Sequence, residues 1–215
     1  ALQEIAPAVP LAGGTSCLGV MTEAGFHSAN GTGLGLMGFH DPQGNYGIGA
    51  ARIGTDARAA GAAAIRQAVE SSMRPGEQPD LVWLIGTPGY EEEVLEGIQE
   101  VIGGGAPIIG GSAADNTVAG GWHQFTREEI LNDGVIVIAM YPSTPIHHVF
   151  HNGYFATVHS GVATRAEGHT LYTIDGKPAA QVYNEWTNGA IAGKIAGGNV
   201  LALSTLYPLG RLVGQ

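Results

Sequence analysis

The stretch Gly110-Gly111-Ser112-Ala113-Ala114-Asp115-Asn116 concentrates residue types suited to holding a small molecule. Adjacent glycines let backbone N–H groups come close to a carboxylate or phosphate, and Ser112, Asp115 and Asn116 add side-chain donors and acceptors. The same residues also describe a tight turn capped by Ser and Asp, and the local pattern favours neither reading. No Gly-Lys-Ser/Thr follows the glycines, which disfavours a nucleoside triphosphate. A second polar loop, Thr15-Ser16-Cys17, lies among glycines near the start and forms the next candidate wall of a ligand site. Cys17 or Ser112 could serve as a nucleophile only with a base beside it, and no motif places a histidine there. Neither residue sits in a Gly-x-Ser-x-Gly elbow.

Three histidines, His147, His148 and His151, cluster beside Phe150, Tyr154 and Phe155, with His159 a little downstream. On a strand, His147 and His151 would share one face and His148 would take the other. One imidazole directed into an apolar, aromatic-walled slot suits the proximal ligand of a haem; a surface histidine with an ordinary hydrogen bond fits the same residues. Zinc is disfavoured, because paired cysteines and a His-Glu-x-x-His element are both missing. Glu91, Glu92 and Glu93 could suggest a cation site, but three carboxylates in the first turn of a helix are explained by its positive end and a solvated face.

The elements that would position these residues are legible as buried strands alternating with amphipathic helices. Residues 33–40 and 46–53 flank a turn-rich Asp41-Pro42-Gln43-Gly44-Asn45 and read as a β-hairpin. Thr55 is placed to cap an alanine-rich helix over 56–72, with Asp56 favouring its N-terminus. Residues 80–86 form a continuous apolar strand, and Thr87-Pro88-Gly89 starts a helix to about 102 that Gly103-Gly104-Gly105 ends. The strand at 107–110 completes a βαβ unit, and 134–141 is a further buried strand. These three strands are expected to be central and largely buried. Residues 154–165 and 169–174 read as a hairpin, Pro178 opens a short helix, and Val200 to Leu206 is a strand candidate. The fold class is therefore α/β, a mixed sheet with flanking helices and Gly-rich loops.

Composition narrows the function. The 215 residues carry 35 glycines and a formal net charge of −10, with only two lysines, Lys177 and Lys194. So acidic a chain offers no electrostatic footprint for nucleic acid or an anionic membrane. The single cysteine forbids an internal disulfide and fits a reducing compartment. The longest apolar run, Gly134 to Tyr141, is far shorter than the about 20 residues a membrane span needs. A cytoplasmic location is expected.

Four ordered stretches resemble the FIST domain, a bacterial and archaeal sensory module. They are Gly13 to Thr22 (GGTSCLGVMT), Pro88 to Gly97 (PGYEEEVLEG), Pro107 to Asn116 (PIIGGSAADN) and Asp175 to Trp186 (DGKPAAQVYNEW). The first three are similar to the family's N-terminal half, assigned to 1–165, and the fourth to the start of its C-terminal half, assigned to 166–215, which would continue beyond Gln215. The resemblance implies sensing of a small ligand, with amino acids proposed for the family and haem and nitric oxide for some members. It also implies output through a signalling partner such as a histidine kinase. It supplies no catalytic signature and no mapped haem ligand. The expected function is thus a non-enzymatic ligand sensor. The alternatives are a hydrolase or acyl transferase using Cys17 or Ser112, and a purely structural interaction module.

Overall fold

Apolar runs too short for helices and too continuous for an exposed sheet dictate the centre of this molecule. The computed structural model describes residues 8–117, 119–149 and 152–212. Three short strands come first: β1 (Ala12–Gly14), β2 (Val20–Thr22) and β3 (Gly25–His27). They are followed by β4 (Asn45–Arg52), α1 (Ala57–Ser71), β5 (Leu81–Gly86), α2 (Glu91–Ile102) and β6 (Ile108–Ser112). Two short strands, β7 (Gln124–Thr126) and β8 (Ile130–Leu131), lead into the long strand β9 (Gly134–Tyr141). The principal sheet has the order β4-β9-β5-β6, with β5 and β6 parallel and the other pairs antiparallel. Mixed sheet and flanking helices confirm the α/β class.

One face of that sheet meets both helices. Val82 and Leu84 of β5 and Val135, Val137 and Ala139 of β9 pack with Ala60, Ala64, Ile65 and Ala68 of α1 and Val94 and Ile98 of α2. Edge strand β4 gets unusually close to α1. A Cβ at Gly47 would stand 1.9 Å from the Ala68 carbonyl oxygen, and one at Gly49 2.0 Å from that of Ala64. Only glycine on the strand and alanine on the helix permit such backbone-on-backbone contact.

Several sequence expectations need correction here. Residues 33–40 form no strand, so the hairpin with 46–53 does not exist; β4 pairs instead with β9, Ile48 opposite Ile138. The Gly-rich segment lies against β2, where Gly35 meets the Val20 side chain. The cap of α1 is Asp56, which accepts the Ala59 amide, not Thr55. Among the three strands expected to be central, β5 and β9 are, but β6 is an edge strand whose last three residues are exposed.

Contacts divide the chain into two compact units, Ala1–Val149 and Phe150–Gln215. Within the second, β10 (Ala163–Glu167), β11 (Thr170–Ile174) and β12 (Lys177–Pro178) form a small antiparallel sheet. Residues 154–162, expected to belong to its first strand, lie outside it. Asp175 and Gly176, with φ of 49° and 77°, make the two-residue turn between β11 and β12, as Asp-Gly hairpin turns do. The helix α3 (Ala179–Trp186) begins directly after Pro178 and buries Val182 and Tyr183. The strand candidate at 200–206 is a one-turn helix, α4 (Leu201–Ser204): a short apolar run does not by itself distinguish the two.

Candidate functional site

The carboxyl ends of the parallel strands β5 and β6 and the N-terminus of α2 converge, the place where open α/β sheets present ligand-binding loops. Gly110 shapes this end. Its φ of 128° is a conformation L side chains rarely adopt, and a Cβ there would lie 1.9 Å from the Leu84 carbonyl oxygen. Gly111 and Ser112 follow, exposed, opposite Ile85 and Gly86. The Ser112 hydroxyl donates to the Glu91 carboxylate, whose other oxygen accepts the Gly89 amide at 2.9 Å. Glu91 is therefore half-buried and fastens the loop to the helix, whereas Glu92 and Glu93 are exposed as the dipole argument expects.

The two loops singled out in the sequence meet. The Ala114 amide donates to the Thr15 carbonyl at 2.9 Å, and the Thr15 amide donates to the His123 carbonyl. The His123 amide in turn donates to the Thr15 hydroxyl at 2.9 Å. Asn116 takes the Leu18 amide on Oδ1 at 2.6 Å and gives its Nδ2–H to the Gly31 carbonyl at 2.7 Å. Leu18 has φ of 65°, an uncommon left-handed conformation for a non-glycine residue, and this hydrogen bond holds it there. Ser16 donates to the Gly19 carbonyl, and the Cys17 thiol is exposed.

Asp115 has a different role. Its carboxylate accepts the Thr117 amide and hydroxyl and the amides of Ala119, Gly120 and Gly121. The Thr117 hydroxyl, then those amides, hold its carboxyl well below the ordinary carboxylate range against partial desolvation. These donors occupy the carboxylate with its own loop. Beneath lies a small polar floor. The buried Thr87 hydroxyl accepts the Gly134 amide at 2.8 Å and lies 3.3 Å from Gln124 Oε1. Gln124 is fully buried, and its Nε2 finds no partner. The sequence marked Glu91 only as a first-turn carboxylate and Thr87 only as a helix start, and Gln124 went unremarked.

Of the two nucleophile candidates, Ser112 meets a carboxylate, that of Glu91, and not an imidazole. Among the described residues no histidine is hydrogen-bonded to Ser112 or Cys17. Of the three histidines of the haem reading, the two described ones, His147 and His148, lie in no apolar slot. His147 and His148 are exposed on a segment without strand structure, so the alternating-face argument fails, and the neighbouring Val149 and Phe155 are almost fully exposed. His151, with Phe150, lies outside the described residues. His159 stacks on Trp186, centroids 6.1 Å apart, and is exposed. No three His, Cys, Asp or Glu side chains among the described residues converge as a metal site.

Two cavities of about 330 Å³ each lie in the first unit, and neither is lined by the two loops or by His147 or His148. One follows the outer edge of β4, between Pro10-Leu11 and Thr126–Glu129. There Gln67 accepts the Ala50 amide and Ser71 donates to the Ile48 carbonyl, satisfying two groups of an otherwise open strand edge. The other is bounded by Phe39–Pro42, Tyr46 and Met140–Ile146.

The family model described as the FIST N domain matches residues 1–177, most of the chain. The chain belongs to the FIST family. That makes it a sensory domain of signal transduction, as the four resembling stretches implied. An uncharacterized protein of Methanocaldococcus jannaschii is 32% identical to this FIST chain over 95 residues, 44% of the chain and 18% of that protein. The FIST chain thus corresponds to less than a fifth of that relative's length. No helix among the described residues is long and apolar enough to cross a membrane.

Proposed function

We propose that this FIST chain senses a small organic ligand, an amino acid being the favoured class, at the crest where Gly110, Gly111, Ser112, Asp115 and Asn116 meet Thr15, Ser16 and Cys17. The observation carrying this reading is the pair of bonds, Ala114 to Thr15 and Leu18 to Asn116, that joins both loops at the carboxyl ends of β5 and β6. Exposed glycine amides would meet the ligand carboxylate, and the Ser112–Glu91 pair would receive its ammonium. Asp115 shapes the loop, its carboxylate bonded to the loop's own amides. The exposed histidines favour an organic ligand over haem. Membership of a sensory family favours binding without turnover.

In this reading residues 1–165 are the N-terminal half of the family's domain pair and 166–215 the start of its C-terminal half. The family match runs to residue 177, beyond that boundary. The protein acts in the cytoplasm and passes its signal to a partner such as a histidine kinase, and its acidity disfavours nucleic acid. Calorimetric titration with the common amino acids tests the site. At least one is expected to bind, and Ser112→Ala should weaken it about ten-fold with little change in melting temperature, since Ser112 is exposed. Binding that ignores Ser112→Ala would move the site elsewhere.

A further inference from the structure

The second cavity, about 330 Å³, is open to solvent, lined by apolar and polar groups in similar measure, and holds one ionised group that is fully engaged. Phe39 and Tyr46 stack beside it, ring centroids 6.2 Å apart and planes inclined by 21°. Met140, Pro142, Pro145 and Ile146 continue the apolar lining. Asp41 lies among them. Its Oδ1 accepts the Gly44 amide at 3.1 Å and the Ser143 hydroxyl at 2.5 Å. Its Oδ2 accepts the Tyr46 hydroxyl at 2.9 Å and the Ser143 amide at 2.8 Å. Two carboxylate oxygens offer about four lone-pair directions, and four donors fill them.

We propose that this cavity binds a quaternary ammonium cation. Aromatic faces carry negative potential and attract cations, most strongly where water is displaced. The Asp41 carboxylate adds a full negative charge but no free acceptor. A primary ammonium would enter with three N–H donors and find that carboxylate already engaged; a trimethylammonium group has no donor to satisfy. The cavity therefore selects charge without hydrogen bonding. His40 and Thr144, both exposed, complete its lining, and the chain's net charge of −10 raises the local concentration of cations. Gly44 keeps the arrangement open, because a Cβ there would press on both the Asp41 carboxylate and the Tyr46 ring. The cavity shares no lining residue with the crest loops, so this inference stands apart from the sensing site proposed above.

Three probes separate the terms: choline, its neutral carbon isostere 3,3-dimethylbutanol, and ethanolamine, the smaller primary ammonium. Titrated calorimetrically into the full chain, choline should bind, and the other two should each bind about ten-fold more weakly or not at all. Phe39→Ala, at an exposed position that leaves the fold intact, should weaken choline about five-fold. Asp41→Asn should also weaken it, read alongside the circular dichroism of the variant because Asp41 braces the turn. Absence of choline binding, equal binding of the neutral isostere, or indifference to Phe39→Ala would each overturn the proposal.

Discussion

Leu18 and Asn116, 98 residues apart in sequence, are joined by a 2.6 Å hydrogen bond from the Leu18 amide to Oδ1. Because Nδ2 of the same side chain reaches Gly31, one exposed amide pins both ends of the segment that contains β2 and β3. Asn116→Asp keeps the acceptor, removes the donor and sets a carboxylate against the Gly31 carbonyl. The variant should lose about 1–2 kcal/mol in urea unfolding and be cut by protease between residues 18 and 31 while the wild type is not. Equal proteolysis would show that the segment is held by other contacts.

The Gln124 side chain is buried beside Thr87, and replacing it measures what its amide contributes. Its Oε1 makes only a long 3.3 Å contact with the Thr87 hydroxyl, and Nε2 has no partner. Gln124→Met removes a desolvated donor at similar volume and should be neutral or stabilising. Thr87→Val, by contrast, strips the Gly134 amide of its acceptor and should cost about 1–3 kcal/mol. Paired denaturation curves decide both, and a destabilised Gln124→Met would mean that Nε2 has a water partner.

Acid stability should depend on Asp115 and Asp41. Both carboxyls are held below the usual range, Asp115 chiefly by the Thr117 hydroxyl and Asp41 chiefly by the Ser143 hydroxyl. A carboxyl depressed in the folded state contributes stability above its unfolded pKa of about 3.9, and that contribution is lost as pH falls through the folded value. Melting temperature should accordingly fall steeply below about pH 4, and Asp115→Asn should flatten that slope while lowering the plateau at neutral pH. An unchanged slope would refute the assignment.

At the alkaline end, burial and then the bond to Asp41 push the Tyr46 hydroxyl up to about 12. Its contribution is complete below the unfolded value of about 10 and disappears as pH rises through the folded one. Tyrosinate absorbance compared between wild type and Tyr46→Phe should isolate a late-titrating ring. Asp41→Asn should shift it part-way towards about 10, since burial remains.

What sequence could show followed from how local each signal is. The strands β5 and β9 and helix α2 were legible because continuous apolar runs and helical spacing lie within single segments. The false hairpin at 33–40 arose because the true partner of β4 lies far downstream, Ile48 opposite Ile138, and pairing over that distance leaves no periodic trace. Both loops of the crest were recognisable from their glycines and polar residues, but their contact was not, since it depends on Thr15 meeting Ala114 across the fold. Asp115 could have been foreseen as a turn-former from the Asp-Asn-Thr sequence. The Asp41–Ser143 bond, spanning 102 residues, could not.

The contact of Gly47 and Gly49 with α1 has a mechanical meaning. Side chains ordinarily act as bushings between helix and sheet, absorbing small displacements by changing rotamer. Here the Ala64 and Ala68 carbonyls ride directly on the strand, and there is nothing in between to yield. Tyr46 is the residue immediately before Gly47 and lines both cavities. A displacement of β4 at Tyr46 must therefore reach α1 without play, as in a gear cut with no backlash, so that the strand and the helix move as one rigid lever.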